Sequence, residues 1–132
     1  MKQIGGIDFS AGGHLASTAA AHFENGNSQA DDPIGRVSCR PGFSVLAYPA
    51  ISLTTQYTHK GSRRNLLDNS PAPKLVESLS NELQVTKETP PTFLMHTSAD
   101  TGVPEISFSR APMGSESECN VECAPRWIAA KR

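Results

Sequence analysis

A serine lies at the junction between a short apolar segment and a helix-forming segment near the start of the chain. Residues 4–7 are apolar, and residues 15–23 are rich in alanine and predict a helix. Gly12 and Gly13 follow Ser10 closely, as a sharp strand-to-helix turn requires where two backbones crowd. Such a turn holds its serine in a strained backbone conformation and exposes the hydroxyl. Ser10 is therefore the candidate nucleophile, and an ordinary helix-capping serine is the alternative.

The motif around this serine has an acidic residue at its first position. Asp8 gives D-x-S-x-G instead of the usual G-x-S-x-G, which adds a Cβ atom and a charge at the turn. We expect this departure to weaken the site without removing it. The helix that begins at Ser10 directs its free N–H groups toward an oxyanion formed nearby, and the N–H of Ala11 is the predicted donor.

Three further motifs accompany the serine motif. The chain contains FSAGGHLAS at residues 9–17, VLAYP at 45–49, TFLMHT at 92–97 and DTGVP at 100–104. In combination these motifs resemble the α/β-hydrolase superfamily, and within it the bacterial esterases of the acetyl xylan and feruloyl esterase kind. The resemblance implies that Asp100, which precedes a Val-Pro pair, is the acid of a catalytic triad. A turn aspartate is the alternative.

A histidine to serve as the base of the triad is missing from the expected position in the sequence. The four histidines of the chain are His14, His22, His59 and His96, and none of them follows Asp100, where the resemblance places the catalytic histidine. His14 and His22 lie in the predicted helix and suit packing roles, and His59 is expected to be solvated. His96 ends a predicted strand near the mouth of the site and is the candidate substitute base.

Apolar runs that alternate with helical or loop segments predict a parallel sheet. These runs occupy residues 4–7, 43–51 and 92–97, and helices are predicted at residues 11–26 and 74–79. The expected fold class is α/β. It is a partial α/β-hydrolase fold with about three parallel strands, connecting helices and a C-terminal tail of irregular structure.

The domain prediction divides the chain after Pro104. Residues 1–104 are a partial α/β-hydrolase domain, in which residues 52–91 are a lid-like insertion or an ordinary surface connection. Residues 105–132 show no helical or strand period and contain no histidine. We hypothesise that the reading frame shifts just after Pro104, so that this tail is not hydrolase sequence.

A basic tract occurs within the insertion. Lys60, Arg63 and Arg64 lie within five consecutive residues. They contact an anionic group of the substrate in one interpretation, and they form a solvated face in the other, which is the more usual role of such a run.

The composition argues against several functional classes. The net charge of −1 and the pI of 6.4 give no electrostatic footprint for nucleic acid. No apolar stretch approaches the ~20 residues of a membrane span. Cys119 and Cys123 lack further ligands, so no metal site is predicted, and no cofactor is expected. No signal-peptide pattern is present, so a cytoplasmic location is the default expectation.

The sequence leaves two alternative functions open. The first is a serine carboxylic-ester hydrolase acting on a small-molecule or carbohydrate ester, of the acetyl or feruloyl esterase type, with Ser10 as nucleophile and Asp100 as acid. Its activity is expected to be impaired because the base is absent. The alternative is a non-catalytic hydrolase remnant or interaction module. The first strand would be central in a complete fold, and an unpaired edge there favours self-association.

Overall fold

The computed structural model describes residues 4–54, 58–97, 100, 102–103 and 124–128. Its sheet has four strands in the order β1-β2-β3-β4. The first three strands are mutually parallel, and the fourth is antiparallel to the third. Their bounds are β1 Gly5–Phe9, β2 Phe43–Ala47, β3 Thr92–His96 and β4 Ala124–Ile128.

Three α-helices and two short 3-10 turns connect the strands. The helices are α1 Ser10–Ala21, α2 Lys60–Leu67 and α3 Pro73–Ser78, and the 3-10 turns are Ile34–Arg36 and Asn81–Leu83. The helix α1 follows β1 without any intervening residue, whereas α2 and α3 both lie in the long connection between β2 and β3. The predicted α/β architecture of three parallel strands with connecting helices is confirmed.

The strand register brings three carboxyl ends to one edge of the sheet. Phe9, the last residue of β1, pairs with Ala47, the last residue of β2, and Ala47 pairs with Met95. Open α/β sheets bind ligands outside the carboxyl ends of their strands. A ligand-binding site is therefore expected among the residues that follow β1, β2 and β3.

Two buried apolar clusters hold these elements together. The first lies between the sheet and α1, where Ala16 packs against Leu46, Ile51 and Leu94. The second lies under α2 and α3 and contains Leu53, Leu67, Val76 and Leu79. The connection between β2 and β3 thus has an apolar cluster of its own.

A polar network fixes α1 to the end of that connection. Asn81 is 3 % exposed, and its Nδ2 donates to the carbonyl of His14 at 3.1 Å. The same nitrogen donates to the hydroxyls of Ser17 at 2.6 Å and Thr18 at 2.9 Å. The Nε2 of His14 in turn bonds to the carbonyl of Leu79 at 2.9 Å. Buried polar atoms are therefore satisfied where α1 meets α3 and the second 3-10 turn.

The boundaries of two predicted elements differ in the structure. The strand predicted at residues 43–51 ends at Ala47, because Tyr48 adopts a φ of 37° and turns the chain away from the sheet. The helix predicted to reach Gly26 ends at Ala21. His22 leaves the helical conformation with φ −114° and ψ 33°, and its Nε2 bonds to the carbonyl of Ser78 at 2.9 Å.

The C-terminal tail departs from the prediction at one segment. Ala124–Ile128 form β4 along the open edge of β3 instead of an irregular segment. The sequence did not indicate this strand, because Pro125 cannot donate a backbone hydrogen bond. The short run around it also lacks a clear alternation of apolar and polar residues. Pairing satisfies backbone groups on that side of β3.

The outer edge of β1 has no partner strand among the described residues. Large apolar side chains are exposed along it: Ile4 is 79 %, Ile7 64 % and Phe9 53 % exposed. This edge matches the unpaired edge expected from the sequence. Self-association through it stays a prediction.

Candidate active site

Ser10 has the backbone conformation that the sequence predicted. It is the first residue of α1, directly after β1, and its φ is 51°. A residue other than glycine in this left-handed region carries strain of about 1–3 kcal/mol. The surrounding structure maintains the strain, since the N–H of Ala50 donates to the carbonyl of Ser10 at 3.2 Å. The serine side chain is half-buried at the carboxyl edge of the sheet.

Glycines make this turn possible by leaving room for two neighbours. A Cβ atom at Gly12 would overlap the carboxylate of Asp8. A Cβ at Gly13 would lie 2.5 Å from the Cβ of Pro49 and 3.1 Å from its Cα. The unusual Asp8 is thus accommodated because Gly12, four residues later, offers its side chain empty space.

The first turn of α1 supplies hydrogen-bond donors beside Ser10. The first N–H groups of a helix have no acceptor within the helix, and the dipole makes this end positive. Ala11 is the second residue of α1, so its N–H is one of these free donors. An oxyanion that forms next to the Ser10 hydroxyl would lie close to it.

Asp100 follows β3 in a tight turn that keeps its carboxylate ionised. Its Oδ1 accepts hydrogen bonds from the N–H of Val103 at 2.9 Å and of Gly102 at 2.8 Å. These two bonds, Val103 first, lower the pKa of the Asp100 carboxyl below its ordinary value, and the nearby His96 and His59 lower it further. The carboxylate is therefore ready to orient and stabilise a cationic imidazole.

His96 is held in the wall behind this turn. The side chain is 8 % exposed, and its Nε2 donates to the carbonyl of Val103 at 2.6 Å. No hydrogen bond joins His96 to Ser10, since β1 and β3 are separated by β2. Adjacent strands lie about 4.8 Å apart, so the ends of β1 and β3 are roughly 10 Å from each other. The structure brings His96 to Asp100 but not to the nucleophile.

The other histidines have structural contacts. His14 and His22 bond to carbonyls at the end of α3, as expected for packing roles. His59 was expected to be solvated, but it caps α2: its Nδ1 accepts from the N–H of Ser62 at 3.1 Å. A histidine is an uncommon helix cap, which is why the sequence did not indicate this role.

An aromatic pair lies next to Ser10. The rings of Phe9 and Tyr48 are 6.0 Å apart between centroids, at 49°. Tyr48 is 41 % exposed, because its positive φ turns it out of the sheet. The two rings form a partly exposed aromatic surface beside Ser10.

Residues 1–110 match the model of the BD-FAE family. The chain belongs to the BD-FAE family. Two curated proteins to which the chain is similar are named for activities on xylan. It is 37% identical over 103 residues to an endo-1,4-beta-xylanase B of Butyrivibrio fibrisolvens, covering 78% of this chain and 16% of that protein. It is 30% identical over 131 residues to an acetylxylan esterase of Xylanibacter ruminicola, covering 94% and 25% respectively.

Solved structures show the same relationship. An acetyl ester-xyloside bifunctional hydrolase from Caldicellulosiruptor lactoaceticus is 50% identical, with a TM-score of 0.73, over 80% of this chain and 39% of that one. A bifunctional GH43-CE protein from Bacteroides eggerthii is 26% identical, with a TM-score of 0.58, over 80% and 18%. The predicted resemblance to esterases of the α/β-hydrolase type is confirmed. The chain spans less than half the length of each of these relatives.

The described residues offer neither a metal site nor a membrane-spanning helix. Within the described residues, no three histidine, cysteine, aspartate or glutamate side chains are grouped so that they could hold a metal ion. Cys119 and Cys123 lie outside those residues. The helices in the described part of the chain are all too short or too polar to cross a membrane.

Proposed function

We propose that this chain carries the nucleophile and the acid of a serine esterase that removes acetyl or feruloyl groups from carbohydrates. The observation that carries the proposal is the positive φ of Ser10 at a strand-to-helix junction, with the ionised Asp100 following a strand of the same parallel sheet. The xylan-related proteins to which the chain is similar support the substrate class.

The reaction has two steps. The Ser10 oxygen adds to the ester carbonyl carbon while a base takes its proton, and the N–H of Ala11 donates to the oxyanion. The bond to the sugar oxygen then breaks, the base returns the proton to that oxygen, and an acyl group remains on Ser10. Water attacks this acyl-enzyme by the same route and releases the acid and the free serine.

The base must be an imidazole between Ser10 and Asp100. A ring that forms a hydrogen bond from each nitrogen spans about 8 Å from hydroxyl to carboxylate. This length suits the separation of roughly 10 Å between the strand ends that precede the two residues. We propose that the sequence as printed turns over slowly, because all four of its histidines precede Asp100 and the His96 Nε2 is bonded to Val103. His96 stays a candidate base only through a rearrangement that releases this bond.

Hydrolysis of acetylated xylo-oligosaccharides tests this function. Acetate release should be slow but should fall to the uncatalysed rate in Ser10→Ala. The exposed loop residue Ser28 offers a matched control, and Ser28→Ala should keep the parent rate. Equal rates for the parent and Ser10→Ala would contradict the assignment of the nucleophile.

The exposed edge of β1 favours a second candidate, an interaction module that pairs with a second copy of the chain. Backbone groups on one side of β1 have no strand partner among the described residues, and Ile7 is 64 % exposed beside them. An edge strand with unpaired backbone groups is a template for pairing. Sedimentation velocity should show dimers or larger species, and Ile7→Lys should reduce them. Ile34→Lys, at a residue 81 % exposed in a 3-10 turn, controls for a general loss of surface hydrophobicity. A monomeric parent chain would contradict this candidate.

A further inference from the structure

A cavity of about 780 Å³ lies beside α2 and α3 in the connection between β2 and β3. We call it the α2–α3 cavity. Its wall includes Leu53, Thr58, Lys60, Arg63, Arg64 and Asp68. Its volume falls within the range of sites that bind small molecules.

The charge of this wall is unbalanced. Three cationic side chains, Lys60, Arg63 and Arg64, face one carboxylate, that of Asp68. In the part of the chain that the structure describes, none of these cations has an ion-pair partner. A concave surface with one sign of charge concentrates ligands of the opposite sign.

Two buried donors in the wall have no partner. The Nε of Arg63 and the hydroxyl of Thr58 are inaccessible to solvent, and neither forms a hydrogen bond among the described residues. Buried polar atoms are nearly always paired, because an unpaired donor loses its hydration without compensation. Unpaired donors in the wall of a cationic cavity favour an anionic ligand over a neutral one.

A short stretch of chain links the cavity wall to the turn at Ser10. The N–H of Ala50 bonds to the carbonyl of Ser10, and Leu53 in the cavity wall follows three residues later. Three residues of extended chain span at most about 11 Å. His59, which caps α2 at the cavity, is also near enough to Asp100 to influence that carboxylate. A ligand in the cavity can thus belong to the same molecule as an ester at Ser10.

We propose that the α2–α3 cavity binds the carboxylate of an acidic sugar that neighbours the acylated sugar in the substrate. The inference rests on the proposed carbohydrate esterase function and specifies its substrate: an ester on a polysaccharide that carries uronic acid groups. The planar fork of Arg63 matches a carboxylate through two parallel hydrogen bonds, and Lys60 adds a point charge.

Binding of D-glucuronate, compared with neutral D-glucose, tests the proposal by calorimetry on the full chain. The acid should bind and the neutral sugar should not. Arg63→Gln should weaken glucuronate binding at least tenfold. The exposed Lys60→Gln, which leaves the buried groups untouched, should weaken it several-fold. Lys87→Gln removes an exposed charge outside the cavity wall and should change nothing.

Three results would overturn the inference. They are equal binding of the two sugars, unchanged binding in Lys60→Gln, and tighter binding of inorganic phosphate than of glucuronate. The same titration with Ser10→Ala separates this inference from the esterase proposal. Ser10→Ala should bind glucuronate as tightly as the parent chain does. A lack of esterase activity would therefore not count against the cavity, and a lack of glucuronate binding would not count against Ser10 as the nucleophile.

Discussion

At the scale of single residues, the site depends on one strained backbone position. Ser10 has a positive φ although a glycine would adopt this conformation without a steric penalty. The side chain is half-buried at the helix N-terminus, and Gly12 and Gly13 provide the space that the turn needs. This conformation was predictable because the residues beside Ser10 indicate the turn, whereas the bond from Ala50 that maintains it was not. The cap formed by His59 was not predictable, because histidine is not a preferred capping residue. Only the folded geometry shows that its ring accepts from the N–H of Ser62.

The carboxylate of Asp100 should make folding dependent on pH. Its pKa is lowered in the folded chain by hydrogen bonds from Val103 and Gly102, so the charged form is the stabilising one. The contribution should be complete above the unfolded pKa of about 3.9 and should be lost as the pH falls through the lower folded pKa. Urea midpoints of the parent and Asp100→Asn should therefore differ at pH 6 and converge as the pH falls through the folded pKa. Asparagine keeps an acceptor oxygen, so the comparison isolates the charge. A constant difference across this range would contradict the assignment.

At the scale of elements, the position of α1 depends on contacts with the connection between β2 and β3. Asn81 donates to one carbonyl and two hydroxyls of α1 from a position that is 3 % exposed. These contacts join residues more than sixty positions apart in the chain, such as Ser17 and Asn81. The helix α1, which begins at Ser10, is therefore held in place by residues that are distant in the sequence.

Removal of this contact should destabilise the chain. Asn81→Ala leaves buried polar atoms of Ser17 and Thr18 without their donor, which we expect to cost about 1–3 kcal/mol. Urea unfolding monitored by circular dichroism measures the difference. Asn69→Ala, at an exposed position beyond α2, should change stability by less than about 0.5 kcal/mol. Equal effects of the two substitutions would contradict the role given to the Asn81 network.

The elements differ in how far the sequence predicted them. The three parallel strands follow from apolar runs, which is a local property. The helix α2 was missed because most of its residues are polar, and only Leu67 is buried, against Leu53 and Val76. Its formation depends on that distant contact and on the cap at its start. The end of β2 was predicted too late, since the turn at Tyr48 interrupts a run that stays apolar.

At the scale of the whole molecule, β1 and β4 form the two edges of the described sheet. The β4 strand covers β3, whereas the outer edge of β1 exposes Ile4, Ile7 and Phe9. The nucleophile follows this open strand directly. Any chain segment or second copy that pairs with β1 would therefore lie next to Ser10 and could supply groups to the site.

The central claim is that Ser10 is a nucleophile that forms an acyl-enzyme. A chain without an efficient base should also deacylate slowly, so the intermediate should accumulate. The direct measurement is peptide mass spectrometry after incubation with p-nitrophenyl acetate. We expect one acetyl group on the peptide that contains Ser10 and none on that peptide in Ser10→Ala. An unmodified Ser10 peptide, or acetylation confined to surface lysines, would contradict the account.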